Sequence, residues 1–219
     1  MDEFREILRC SPTKMDLLWS MGWRHFGTYF FCSTTAWSNG RTVRVLPLRI
    51  DLARFELSRS QKRTLKRNAD LNVVFAPALV DDARERLFQR HKTRFRDNVP
   101  DTLYDFLSFQ PDHVPCQAKM CSAYLGERLL ATSYFDVGAE AVSAVYAMFD
   151  PDEHRRGLGI LLILKEVEHA RNQGYRYLYT GYCYDRPSFY DYKRRFRGTE
   201  YFDWETKTFL PLDVKEESR

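Results

Sequence analysis

Phe149-Asp150-Pro151-Asp152-Glu153-His154-Arg155-Arg156-Gly157-Leu158-Gly159, running directly into Ile160-Leu161-Leu162-Ile163-Leu164, is the stretch from which the fold can be read. An apolar run ends at Phe149, Asp150-Pro151 interrupts it, and Gly157 and Gly159 turn the chain. Ile160, Ile163, Leu164 and Val167 then recur on one helical face until Gln173-Gly174. The pattern predicts a strand, a tight turn and a helix over about 159–172. A strand that enters a helix through glycines brings free N–H groups and the positive end of the helix dipole close to an anion. Arg155 and Arg156 add guanidinium groups that pair with phosphate oxygens. The same glycines also suit a plain strand-to-helix connection, and the motif alone leaves both readings open.

Working outward, residues 118–124, 129–137 and 141–149 alternate as strands, with a hairpin turn at Leu125-Gly126-Glu127-Arg128 and a break at Gly138. After the central helix, 175–180 reads as a strand with Tyr175, Tyr177 and Tyr179 on one face, and 188–196 as a final helix. Toward the N-terminus, 28–32 and 43–50 read as strands around a turn at Ser38-Asn39-Gly40. Ser58, with Gln61 three residues on, forms a capping-box signature opening a charged helix that ends near Asn68. A strand over 71–75, a helix from Asp81 or Asp82 to about Arg96, and a short helix over 103–109 follow. Strands and helices in this order give an α+β fold. The tail from Leu212 is polar and is expected to fray.

The composition narrows the function classes. With 219 residues and 44% hydrophobic residues the chain can bury a core. Five cysteines, with no C-x-x-C pair, support neither a disulfide framework nor a zinc knuckle. The opening MDEFREILRC is not a signal peptide, and no run approaches the roughly 18–20 apolar residues of a membrane span. A cytoplasmic protein without a membrane partner is expected. Net charge is only +4, but the basic residues cluster. Arg54, Arg59, Lys62, Arg63, Lys66 and Arg67 crowd one segment against a single acid, Glu56, and Lys193 to Arg197 holds four more. Either patch reads as a solvated helix face or as a surface for a phosphate backbone.

One longer set of matches is more specific. Ser143-Ala144-Val145-Tyr146, Phe149-Asp150-Pro151, Leu158-Gly159, Ile163-Leu164, Tyr177-Leu178-Tyr179-Thr180-Gly181-Tyr182, Tyr192-Lys193 and Phe196 resemble the C-terminal half of the arginyl- and leucyl-tRNA–protein transferases. Asp16-Leu17-Leu18, Gly22-Trp23-Arg24, Phe26-Gly27, Val43-Arg44-Val45, Ser58-Arg59-Ser60-Gln61-Lys62-Arg63 and Arg67-Asn68-Ala69-Asp70-Leu71 resemble the opening half, in the same order. The resemblance implies an N-acetyltransferase-like (GNAT-like) fold, a mixed and mainly antiparallel central sheet flanked by helices. It divides the chain into a family-specific region 1–75 with the basic segment 54–68, an acyltransferase domain 76–211, and a polar tail 212–219. It implies transfer of an amino acid from aminoacyl-tRNA, as co-substrate, to an amine acceptor: a protein or peptide N-terminus, or a small molecule.

On that resemblance Asp150 and Tyr182 are the candidate catalytic residues. Asp150 would accept a proton or orient the amine, or else simply cap the turn before Pro151. Ser143, Tyr146, Tyr179, Gly181, Tyr192 and Lys193 are candidates for substrate binding, with aromatic core the plainer role for the tyrosines. Arg59, Gln61, Lys62, Arg63, Arg67, Arg155, Arg156, Gly157 and Gly159 are candidates for tRNA phosphate. Three departures bear on this. His154 stands where acyl-CoA enzymes usually have Gln or Arg, which weakens the alternative of an acyl-CoA-dependent N-acetyltransferase. Phe189-Tyr190 replaces a Lys-Met pair of the family; if that Lys recognises an acidic N-terminus, its loss implies another acceptor here, a peptide or a small amine. Of the family's cysteine cluster, which implies iron–sulfur binding, only Cys32 remains, so no metal and no resident cofactor are expected. A catalytically silent RNA-binding module is the third reading.

Overall fold

A computed structural model describes residues 2–38, 40–96 and 99–212. Asn39 of the expected turn, and 213–219 of the expected tail, lie outside the described residues. In chain order the elements are β1 (Asp2–Glu6), α1 (Pro12–Ser20), β2 (Arg24–Phe26), β3 (Tyr29–Ser33), β4 (Thr35–Ser38), β5 (Arg41–Asp51), α2 (Arg59–Arg67), β6 (Asn72–Pro77) and α3 (Asp82–Lys92). After a single 3-10 turn at Leu103–Asp105 come β7 (Ala118–Leu125), β8 (Arg128–Val137) and β9 (Ala141–Phe149). A 3-10 segment, Pro151–Arg156, leads into α4 (Leu158–Asn172), then β10 (Tyr177–Tyr184), a 3-10 segment Phe189–Arg195, β11 (Thr199–Asp203) and β12 (Thr208–Pro211).

The main sheet runs β12-β11-β5-β10-β9-β8-β7-β6, with β4 added on β5. Every pairing in it is antiparallel except β9 with β10, so the fold is α+β with a mixed, mainly antiparallel sheet. A separate three-stranded sheet, β1-β3-β2, is built from the N-terminus. Alternation along the strands sends apolar side chains to both faces. On one face α4 packs Leu158, Leu161, Leu162, Leu164 and Val167 against Phe135, Val142, Leu178 and Ile50. Burying each such side chain contributes about 1.5–3 kcal/mol. On the other face α3 brings Leu87 and Phe88 to Tyr134 and Met148, and α1 brings Met15, Leu18 and Trp19 to Phe30 and Tyr179.

Several expected boundaries shift for local reasons. The helix expected to reach Arg96 stops at Lys92, capped at Thr93, and 103–109 forms only one 3-10 turn. The expected helix 188–196 is 3-10 over Phe189–Arg195, nucleated by Ser188, whose N–H donates to Asp191 while its Oγ accepts from Tyr190 N. The strand expected over 175–180 begins at Tyr177 and continues to Tyr184, because β5 offers a partner along that whole length. Elements β1, α1, β2, β4, β11 and β12 carry no clear periodicity and were not expected. β5, from the N-terminal region, is inserted between β10 and β11 in the main sheet.

Candidate active site

The parallel ladder between β9 and β10 is short, pairing Tyr177, Leu178 and Tyr179 with Ala141, Val142 and Ser143. Beyond it β9 continues against β8 alone and β10 against β5 alone. A gap therefore opens between the strands toward their C-terminal ends. Facing backbone groups there have no strand partner across it, so a polar chain entering the gap meets unpaired donors and acceptors. A β-bulge falls in β10 between Tyr179 and Gly181, and Gly181 has φ 98°. That left-handed conformation favours glycine. A Cβ at Gly181 would also lie 2.8 Å from Lys193 Nζ and 3.6 Å from a guanidinium nitrogen of Arg24.

The bulge thus collects side chains that are far apart in sequence. Arg24, from β2, is 9% exposed. Its Nη1 donates to Ser143 Oγ at 2.9 Å, and its Nη2 is buried without a hydrogen-bond partner. Its guanidinium also lies over the Tyr179 ring, 6.0 Å from the centroid. Burial lowers the Arg24 pKa to about 10, with Asp136 acting against the fall. Lys193, from the 3-10 segment after β10, sets its Nζ 5.1 Å from the Tyr190 ring centroid and 5.8 Å from that of Tyr182. Burial, and then the neighbouring charge of Arg24, push Lys193 down to about 7. A guanidinium with an unpartnered nitrogen and a lysine amine crowded beside it form a site for an anion. Beside them lies a cavity of about 150 Å³ lined by Gly22, Arg24, Phe31, Ser33, Val45 and Tyr182, among others. Tyr182 packs edge-on to Tyr190, and burial raises its hydroxyl pKa, so it stays a neutral donor.

Ser143, Tyr179, Gly181, Tyr182 and Lys193 therefore come together as one site. Arg24 completes it and is not among the candidate site residues; its signal in the sequence is the Gly22-Trp23-Arg24 match, a charge set in an aromatic stretch. Two other candidates lie apart. Tyr146 stacks on Phe106 at 4.0 Å, in the cluster packed by α3. Tyr192 packs against the α4 core, and burial raises it to about 12.

Asp150 is 1% exposed. Its Oδ1 accepts from Arg90 at 2.7 Å and from Asp152 N at 3.1 Å, and its Oδ2 from Arg128 at 2.5 Å. This geometry matches the cap before Pro151, a hub tying α3, β8 and the 3-10 segment together, and leaves no open face toward an incoming amine.

The glycine turn lies on the α4 face of the sheet. Gly157 has φ 68° and ends the 3-10 segment, and a Cβ on Gly159 would come within 3.3 Å of the Phe149 ring. Helix α2 docks over this turn. Arg67 bonds the Arg155 carbonyl, and Asn68 donates to that of Arg156 at 2.9 Å. Arg156 forks onto Asp70, with both nitrogens at 2.9 Å, and also reaches Glu153 at 3.0 Å. Its guanidinium is thus committed within the protein. Gln61, 5% exposed, closes the α2 capping box and reaches the Arg195 carbonyl, so it is not open to a phosphate. Arg59, Lys62, Arg63 and Arg155 remain exposed.

The cysteine cluster implied by the resemblance does not fit this donor set. Cys32 is the one thiol between the Gly-Trp-Arg and Ser-Arg-Ser-Gln segments, burial raises it to about 11, and it faces the Met21 carbonyl. Elsewhere His25, Cys116 and Asp136 bring ligand-type atoms within 4.8 Å of one another. There His25 Nε2 lies 2.7 Å from Asp136 Oδ2 and Nδ1 2.8 Å from the Gly27 carbonyl. Burial alone would lower His25, but Asp136 and these hydrogen bonds raise it, giving a buried ion pair that satisfies both ring nitrogens.

Residues 83–203 match the family model described as arginine-tRNA-protein transferase, C terminus. An aspartate/glutamate leucyltransferase of Stenotrophomonas maltophilia is 36% identical over 164 residues, covering 71% of this chain and 65% of that protein. An aspartate/glutamate leucyltransferase of Acinetobacter baumannii is 32% identical over 161 residues, covering 71% of this chain and 58% of its own length. The matches thus span less than two thirds of these two relatives. Among solved structures, L-PGS from Bacillus licheniformis superposes with a TM-score of 0.50 at 13% identity, covering 85% of this chain and 55% of that one, a likeness of fold. More than half of the chain lies within the matched family model, and the chain belongs to the arginine-tRNA-protein transferase C-terminus family.

Proposed function

We propose that the protein is an aminoacyltransferase that moves an amino acid from aminoacyl-tRNA to the α-amino group of a polypeptide whose N-terminal residue is acidic. The observation that carries this reading is the Arg24–Lys193 pair at the mouth of the β9–β10 gap. Its unpartnered guanidinium nitrogen, beside a cavity, suits a carboxylate on the acceptor. The donor ester is already activated, so the protein has to align it with the amine, remove a proton and stabilise the oxyanion. The acyl group would lie in the gap, its carbonyl oxygen meeting unpaired strand N–H groups. Tyr182, a neutral donor, would hydrogen-bond the reacting carbonyl or the ribose.

The mixed sheet that opens between β9 and β10 is in keeping with a GNAT-like form of the fold, in which the donor would enter on the α4 face and the acceptor on the opposite face. The exposed Arg59, Lys62, Arg63 and Arg155 would then hold tRNA phosphates near the glycine turn. The division at residue 75 is functional on this reading: 1–75 supplies Arg24 and the basic helix, and 76–211 the strands around the gap. A cytoplasmic location is part of the same reading, since charged tRNA is its co-substrate, and the reaction draws on no resident cofactor. Occupation of the glycine turn by α2, with Arg156 held by Asp70, argues against an acyl-CoA pyrophosphate there.

The test is transfer of labelled amino acid from total charged tRNA to peptides differing only in their first residue, Asp, Glu, Asn, Gln or Lys, with labelled acetyl-CoA in parallel. Label on the Asp and Glu peptides from tRNA supports the reading. Label from acetyl-CoA, or equal labelling of Asn and Gln peptides, refutes it.

A further inference from the structure

The site holds no side chain so far assigned to take the proton from the attacking amine, and Asp150 is sealed away from it. Lys193 is the titratable group that the bulge at Gly181 brings into the gap. Its Nζ has no hydrogen bond or ion pair to a described residue, and the missing Cβ of Gly181 leaves it room, since a Cβ there would lie 2.8 Å away. The groups facing it are Arg24 from β2, Tyr182 and Cys183 from β10, and Tyr190 from its own segment. Not one is a carboxylate, so the ammonium form has no counter-charge at rest.

We propose that Lys193 is the proton acceptor of the transfer reaction, and that the acceptor's own carboxylate, bound between Lys193 and Arg24, creates its capacity to hold that proton. The inference rests on the acidic-acceptor reading above. The free site favours a neutral amine at Nζ, in line with its downward displacement to about 7. A peptide arrives with an α-ammonium and a side-chain carboxylate. The carboxylate supplies the missing counter-charge and raises the proton affinity of Nζ. One α-ammonium N–H bond breaks and one Nζ–H bond forms. The freed lone pair attacks the ester carbonyl, and a C–N bond forms. When the C–O bond to the ribose breaks, the leaving oxygen takes the second proton of the attacking nitrogen. Recognition and activation are then one event: an uncharged first residue leaves Lys193 neutral but unable to retain a proton beside Arg24. Lys193 would be a catalytic residue, and Arg24 both binds the carboxylate and holds Lys193 neutral beforehand.

Two measurements test this. The first is independent of transfer: pH-dependent competitive acylation of lysines, read by mass spectrometry, with and without an Asp-initiated peptide. Lys193 should react as a free amine near pH 7, and the Asp peptide, but not its Asn counterpart, should suppress its reactivity at least several-fold. Ordinary lysine reactivity at Lys193, or equal suppression by both peptides, overturns the proposal. The second compares K193R with wild type in tRNA-dependent transfer. Arginine keeps the charge and cannot release it, so KM for the Asp peptide should change little while kcat falls roughly 100-fold or more. Small primary amines should restore part of the activity of K193A. K193R with wild-type kcat overturns the proposal. A wild type that fails to transfer from tRNA but shows the Asp-specific protection refutes the donor assignment and leaves Lys193's response to the carboxylate standing.

Discussion

Glu166 offers a test of how this core carries a buried acid. It lies on α4, 2% exposed, with Oε2 lacking a hydrogen-bond partner. Burial raises its carboxyl to about 7 from an ordinary 4.5, with the Ser133 hydroxyl acting against the rise. Because the folded value is the higher one, the stabilising contribution is complete below about pH 4.5. It fades as the pH climbs through 7, since the unfolded chain has already released this proton. At about 1.4 kcal/mol for each pH unit, the interval between the two values corresponds to about 3 kcal/mol lost between acid and neutral conditions. Glu166→Gln keeps the shape and an acceptor for the Ser133 hydroxyl while removing the titration. Urea unfolding of both proteins at pH 5, 6, 7 and 8 should give curves that diverge up to pH 7 and then run nearly parallel, the variant gaining on the wild type by about 2.5 kcal/mol. Lys193, at about 7, titrates in the same range, but it is common to both proteins and cancels in the difference. Parallel curves between pH 5 and 7 would refute the buried-carboxyl argument.

Other outcomes follow from the same geometry. Gly181→Ala forces a Cβ into a left-handed position and against Lys193 Nζ, and should cost about 1–2 kcal/mol in chemical denaturation with a larger loss of transfer. Arg24→Gln removes one arm of the anion site, and should raise KM for Asp- and Glu-initiated peptides by roughly 10–100-fold in steady-state assays. Replacing Lys62 and Arg63 with Gln should weaken tRNA binding in filter-binding titrations and reduce the slope of log affinity against log salt by about 2. Asp150→Asn breaks a hub held by Arg90 and Arg128. It should lower stability by about 1–3 kcal/mol while leaving kcat per folded molecule unchanged; a selective loss of kcat would restore Asp150 as a catalytic group.

Much of this protein was written in local pattern. Alternation and turn residues marked β7, β8 and β9 to within a residue or so, and the Ser58–Gln61 capping box marked the start of α2, because these signals act over only a few residues. The glycine turn into α4 was equally legible, since Gly157 takes up its left-handed φ without the steric cost a Cβ would add. The ordered set of short matches pointed to the family. Sequence alone did not reveal that β5 sits between β10 and β11, nor that the β9–β10 ladder lasts three residues and then opens. Those are long-range pairings, decided by which strand edges meet after collapse. The same holds for the site. Asp150 stood beside the motif and looked reactive, yet Arg90 and Arg128, distant in sequence, bury it as a hub. Arg24 stood far from the motif, yet β2 delivers it to Ser143 and Gly181. Side-chain chemistry follows from desolvation and neighbouring charge, and both depend on tertiary packing rather than on the residue's place in the chain.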